Sequence, residues 1–159
     1  MKRIFLILTA LFLMCQVSFG ASSCDVVHTD EGPFDVMTYT WTAHTDGTFT
    51  AKQSTIAIDG IIVAVVTIPD DTTAPTDNYD IILQNEDGLY LCGETGTVAA
   101  PNYDGELANR DSARTEYTKL KPESSEATVH NVGKVTLNIL NNSVNSAAGV
   151  VKIIYFGSN

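Results

Sequence analysis

The chain has 159 residues and 44% apolar content, enough for one domain with its own core and too apolar for a disordered polymer. Nine basic against nineteen acidic residues leave a formal charge of −10, a field that repels phosphate backbones and disfavours nucleic-acid partners. Past the N-terminus Thr, Val, Ile and Asn outnumber Lys, Glu and Leu, which favours strands over helices.

Residues 1–20 differ in composition from the rest. Lys2 and Arg3 precede an apolar run from Ile4 to Met14, and Ser18-Phe19-Gly20 sets small residues around a cleavage position. This is the layout of a secretory signal peptide cut after Gly20, and the run is too short to span a bilayer comfortably. No stable membrane insertion is expected once it is removed. Losing Lys2 and Arg3 takes the charge from −10 to −12. Cys15 would leave as well, so Cys24 and Cys92 remain, either as one disulfide or as two free thiols. Ala21-Ser22-Ser23-Cys24 approaches a bacterial lipid-attachment site, with Ala21 where a larger aliphatic is usual.

Residues 21–33 are polar and without period, an N-terminal linker ending in the turn signal Glu31-Gly32-Pro33; residues 34–159 form the domain proper. From Phe34 to Ala43 the pattern alternates, with Met37, Tyr39, Trp41 and Ala43 on one face and Val36, Thr38, Thr40 and Thr42 on the other. A half-buried antiparallel strand follows, with Tyr39 and Trp41 inward. The alternative use of these two rings is a platform for a sugar or a partner. Asp46-Gly47 signals a hairpin, with Thr48 to Lys52 as the return strand.

Ile56 to Ile68 is apolar on both faces: Ile56, Ile58, Ile62, Val66 and Ile68 on one, Ile61, Val63 and Val65 on the other. That marks a central strand, with Asp59-Gly60 as a hairpin turn or, as Gly in a long strand favours, a bulge. Pro69 and Pro75 stiffen an acidic connection. Tyr79 to Gln84, the turn Glu86-Asp87-Gly88 and Leu89 to Cys92 then form a meander. Gly93 to Ser112 is a long irregular segment of a kind often used for binding. Asn102, Asp104, Glu106, Asn109, Arg110 and Asp111 make it the candidate interaction loop. Ala113 to Leu120 reads as an edge strand, while Val129 to Leu140 and Gly149 to Phe156 form a closing pair around a turn at Asn141 to Ala148. Eight or so short strands with polar turns and no amphipathic helix predict a single antiparallel β-sandwich of Ig-like or jelly-roll type.

Chemistry-bearing constellations are sparse. His28, His44 and His130 lie in separate polar segments without the spacing a zinc site needs, and read as surface residues. No nucleophile–base arrangement stands out, and Cys92 has no basic neighbour to activate it. Neither a catalytic nor a cofactor set is expected. Asp70, Asp71, Asp77 and Asp80 on one connection, and the acids of the long segment, offer hard-oxygen ligands that suit calcium. They lack the calcium-loop spacing, and solvated acids are the simpler reading.

Ala74-Pro75-Thr76-Asp77-Asn78-Tyr79-Asp80-Ile81, followed by Glu86-Asp87-Gly88, resembles small β proteins encoded among bacteriophage and prophage structural genes. Trp41-Thr42, the Gly60 to Pro69 strand, Leu107 to Asp111 and the Lys134 to Phe156 pair extend that likeness over roughly Thr40 to Phe156. The resemblance implies a non-enzymatic virion component, such as a capsid decoration protein or an auxiliary head or tail piece. Its partners would be other virion proteins, the major capsid protein among them, or further copies of itself. The export-like opening supports a second expectation, an exported surface or periplasmic module for adhesion or ligand binding. A hydrolase on the same scaffold is a third, which fold alone does not license.

Overall fold

The computed structural model of the chain describes residues 20–76, 79–88, 91, 106–108, 114–117 and 129–157. They are all-β, with no helix among them. In chain order the strands are β1 (Ser23–Glu31), β2 (Phe34–Thr42), β3 (Lys52–Gln53), β4 (Ile58–Pro69), β5 (Asp80–Gln84), β6 (Glu106–Ala108), β7 (Arg114–Tyr117), β8 (Val129–Gly133), β9 (Thr136–Leu140) and β10 (Ala148–Gly157). Every pairing is antiparallel, and two sheets result. The larger runs β1-β2-β10-β4, and β4 then carries both β7 and β8 on its far edge; the smaller runs β3-β9-β5-β6.

The alternation in β2 comes through as written in the sequence. Met37, Tyr39, Trp41 and Ala43 are all buried in one cluster, which Val151, Ile153 and Tyr155 of β10 and Ile58, Ile62 and Val65 of β4 complete from the same sheet. Ile81 and Leu83 of β5, Leu137 and Ile139 of β9, and the adjoining Tyr79, Leu91 and Val135 supply it from the other sheet. The two sheets therefore share one core. A hydrogen bond crosses it: Tyr39 Oη donates to the Val135 carbonyl at 2.7 Å. The same carbonyl accepts from the Ser54 amide, and Ser54 Oγ accepts from the Val135 amide while donating to the Ile56 carbonyl. Buried Ser54 is thus fully engaged, as a polar group in an apolar core must be. The rings of Tyr39 and Trp41 are core packing, not a platform, since 0% and 1% of their surface reaches solvent.

Several expectations need correction. The supposed linker at 21–33 holds β1, which pairs with β2 over its whole length, from Ser23 opposite Thr42 to Glu31 opposite Phe34. Gly32 and Pro33 form a two-residue turn between them; the positive φ of Gly32 (82°) followed by the fixed ring of Pro33 matches the twist of a hairpin. No apolar period announced β1 because it is an edge strand, exposed along most of its length.

The bulge in the central strand lies elsewhere than Asp59-Gly60. Ile154 is opposite Ala64 and Tyr155 opposite Ile62, so Val63 is the extra residue. Inserting one residue reverses the face assignment beyond it. Ile58 and Ile62 point into the core before the bulge, Val65 and Thr67 after it, while Val66 and Ile68 turn outward. Gly60 serves another need, because a Cβ there would lie 1.9 Å from the Phe156 carbonyl oxygen.

Two local pairings also become crossings between sheets. Thr48 to Lys52 is not a return strand against β2; the chain crosses, and β3 pairs with β9. β5 joins β9 and β6; of the segment expected to pair back on it, Leu89 to Cys92, only Leu91 is described, and its amide donates to the Leu83 carbonyl at 2.9 Å. Val129 to Leu140 divides at Gly133 (φ 123°) into β8 of the larger sheet and β9 of the smaller, and β10 closes on β2 and β4 instead of on β9.

Candidate functional site

Three of the crossings between sheets gather at one end of the molecule: residues 43–51, 70–76 and 141–147. Backbone bonds splice their bases, from the Ala43 amide to the Ala147 carbonyl, from Asp70 to Ala148 and from Ala148 to Thr73. Beneath them Trp41 packs edge-on against Phe49 at 5.9 Å between ring centres, and against Tyr79 at 6.0 Å.

Asn142 joins the three segments. Its Nδ2 donates to the Gly47 carbonyl at 2.8 Å and the Val144 carbonyl at 3.0 Å. Its Oδ1 accepts from the Thr76 amide, the Thr76 hydroxyl and the Val144 amide, at 3.2–3.3 Å. The Ser143 amide donates in turn to Thr76 Oγ1 at 2.8 Å. The segment around this side chain is tightly wound, with Asn141 and Ser146 both left-handed (φ 55°). Gly47 (φ 85°) lies so near that a Cβ would sit 3.0 Å from the Ser143 backbone. Asn142 was not legible as a hub, for nothing in the run Asn141-Asn142-Ser143 says which side chain bridges to another loop.

The acids of this end hold its turns. Asp70 Oδ1 accepts from the Thr72 and Thr73 amides and the Thr73 hydroxyl at 2.8–3.0 Å. Asp46 Oδ1 accepts from the Thr48 hydroxyl at 2.6 Å and the Thr48 amide at 2.9 Å. These bonds hold both carboxyls below the usual carboxylate range, Asp70 chiefly through the Thr73 amide and Asp46 chiefly through the Thr48 hydroxyl. A carboxyl ionised so readily is a poor proton donor near neutral pH. Asp80, 8% exposed, accepts from Asn141 Nδ2. Asp71 is exposed, and Asp77 lies outside the described residues. Among the described residues no three His, Cys, Asp or Glu side chains converge as metal ligands would.

Of the candidate interaction loop, only Glu106 falls among the described residues: it opens β6, opposite Ile82 of β5. Asn102, Asp104, Asn109, Arg110 and Asp111 lie outside them, as does Cys92. Cys24 is a free thiol packed against the core, and burial pushes its pKa up to about 11, which makes it a weak nucleophile. Two histidines have carboxylate neighbours that the sequence did not suggest. His28 Nε2 lies 3.3 Å from Asp35 Oδ1, with its ring 6.1 Å from that of Tyr155, and His44 Nδ1 lies 3.3 Å from Asp46 Oδ1. The first pair is diagonal across the β1–β2 ladder and becomes visible only once β1 is recognised as a strand.

One part of the outer face of the larger sheet is apolar as well, while Thr38, Thr40, Thr42 and Lys152 lie on the rest of it. Register places Phe34 and Val36 of β2, Ile154 and Phe156 of β10, and Ile61, Ala64 and Val66 of β4 on that side. Phe34 and Phe156 are in ring contact at 4.5 Å, and Val36 and Ala64 are buried among these neighbours. Val27, Val132 and Phe156 stand 57%, 66% and 44% exposed. No described helix is long and apolar enough to cross a membrane. Comparison with known proteins finds no matching family model, no matching curated protein and no matching solved structure. The likeness to phage-encoded structural proteins therefore rests on the sequence motifs alone.

Proposed function

We propose that this chain is a non-enzymatic assembly protein, a phage virion component of the decoration or auxiliary head or tail kind, built on a β-sandwich of Ig-like or jelly-roll type. The sandwich reading is supported by the shared core and by the Tyr39 to Val135 bond that ties the sheets together. The assembly reading is carried by one observation: the larger sheet has an apolar patch on its outer face, around Phe34, Val36, Ile154 and Phe156, although its inner face already supplies the core. A sheet of that kind is stabilised by covering both sides, and an acidic chain that leaves Val27, Val132 and Phe156 open gains from docking on a larger body. At the loop end, the hydrogen bonds of Asn142, Asp46 and Asp70 go into holding shape, which suits a rigid contact surface.

Mass spectrometry of gradient-purified particles tests the proposal. The chain should appear at a constant copy ratio to the major shell protein, and its absence from particles would overturn the reading. The leader-like residues 1–20 favour a second reading, an exported surface or periplasmic module. That version expects a mature N-terminus at Ala21 and recovery from the periplasm or medium.

A further inference from the structure

The open edge of the larger sheet belongs to β1, nine residues long, and among the described residues nothing pairs with its outer side. Which backbone groups face outward follows from one bond. The Ala43 amide reaches the Ala147 carbonyl, so the odd-numbered residues of β2 direct their amides and carbonyls toward β10 and the even-numbered ones toward β1. Through the β1–β2 register, Ser23, Asp25, Val27, Thr29 and Glu31 are the residues of β1 bonded inward. Cys24, Val26, His28 and Asp30 then present their amides and carbonyls to the open side. Of the usual devices that keep such an edge from pairing, the strand has no Pro, no Lys and no bulge, and carries only the charges of Asp25, Asp30 and Glu31.

We propose that the chain forms a two-fold dimer in which β1 pairs antiparallel with β1 of a second copy, centred on Val27. The register is self-complementary. With Val27 on the axis, Val26 meets His28 and Cys24 meets Asp30 on either side, and these four are the residues whose backbone groups face outward. All of them are satisfied, giving about eight new hydrogen bonds. The charges agree with this alignment too. Asp25 falls opposite Thr29, Asp30 opposite Cys24 and Glu31 opposite Ser23, so no acid directly faces another, although the strand carries three acids and no Lys or Arg. On the outer face the two Val27 side chains, each 57% exposed, cover one another in a pair whose backbones do not bond and whose side chains approach closely.

The symmetry keeps both outer faces on the same side, with the Val27 pair at the seam between them. One strand per copy buries less than a standard interface, which places the dimer in the weak, concentration-dependent class. Asp25 and Glu31 meet diagonally across the seam, and both copies are acidic, so added salt strengthens the association. The proposal does not depend on the virion reading.

Sedimentation equilibrium of the full chain should show a monomer–dimer equilibrium that shifts toward dimer as NaCl is raised. A monomer at every concentration up to about 1 mM would overturn the proposal. Val27→Lys sets two like charges face to face on the axis at a position already open to water. It should weaken association about tenfold or more while leaving the circular dichroism spectrum unchanged. Association as tight as in the parent overturns the register. Val27→Cys gives a positive reading, because Cα atoms about 4.5 Å apart are within disulfide reach. Mild oxidation should yield a covalent dimer whose bridge maps to position 27. Thr29→Cys, whose two copies lie more than about 13 Å apart in this register, should give none. Equal cross-linking of both variants overturns the alignment about Val27.

Discussion

β1 and β10 flank the same strand, β2, and pair with it along nearly all of its length, yet they experience different surroundings. β10 has β4 on its other side and alternates between buried and half-buried from Ala148 to Tyr155. β1 has only Cys24 and Val26 reaching partly into the core. Identical ladder chemistry thus supports one strand that organises the domain and another that decorates its rim. The difference lies in what each strand has on its far side. Backbone bonds to β2 are available to both, whereas desolvation of side chains requires a second neighbour and a facing sheet.

Ile153→Ala empties a fully buried site and should cost about 2–5 kcal/mol, read as a lowered urea midpoint with the slope unchanged. Val27→Ala, the matching truncation in β1, should change stability by less than about 0.5 kcal/mol. Similar losses at both sites would show that β1 is as much a part of the core as β10. Gly60→Ala tests the close pairing of β4 with the end of β10. A Cβ there meets the Phe156 carbonyl and must push the strands apart, at about 1–3 kcal/mol, with faster amide exchange near Phe156 and Gly157. Asn142→Ala severs the tie that anchors the other end of β10 to two further loops, leaving the Gly47 carbonyl and the Thr76 amide without their side-chain partner. About 1–3 kcal/mol is expected, with increased exchange in residues 43–48 and 72–76 and little change in β1.

Burial favours the neutral thiol of Cys24, first among its influences, and the charge of Lys52 opposes this. A thiol whose folded pKa lies above its ordinary 9.0 contributes stability that is complete below pH 9 and is lost as pH rises toward about 11. Stability should therefore fall over that interval, and Cys24→Ser should flatten the fall. Alkylation of Cys24 in the folded chain should lag behind that of an unfolded control until the upper end of the same range. Equal rates at pH 8 would show that β1 does not shield the thiol.

Much of the fold could be read from alternation wherever the chain is buried on one face. Met37, Tyr39, Trp41 and Ala43, and again Val135, Leu137 and Ile139, face inward as their spacing required. Turn chemistry was legible as well: Gly32, Gly47 and Gly88 all take the positive φ that their turns demand. The reading failed where one face is no guide. β1 has no buried face to create a period, and β4, apolar on both, concealed its bulge, because moving Val63 out of register changes no residue's polarity. Of the loop cluster, the acids and Thr residues were visible as composition. Their convergence on Asn142, and the pairing of His28 with Asp35, were not.

The residues alone determined an acidic, all-β chain, most of its core positions and most of its turns, because these depend on side-chain period and on local φ. Which strand pairs with which was decided by tertiary structure. Each tight turn could have closed a local hairpin, yet the crossings after β2, β4 and β9 carry the chain to the opposite sheet. Doing so lets both sheets bury their apolar faces in a single core, a gain in desolvated area that no neighbouring pair of strands achieves by itself.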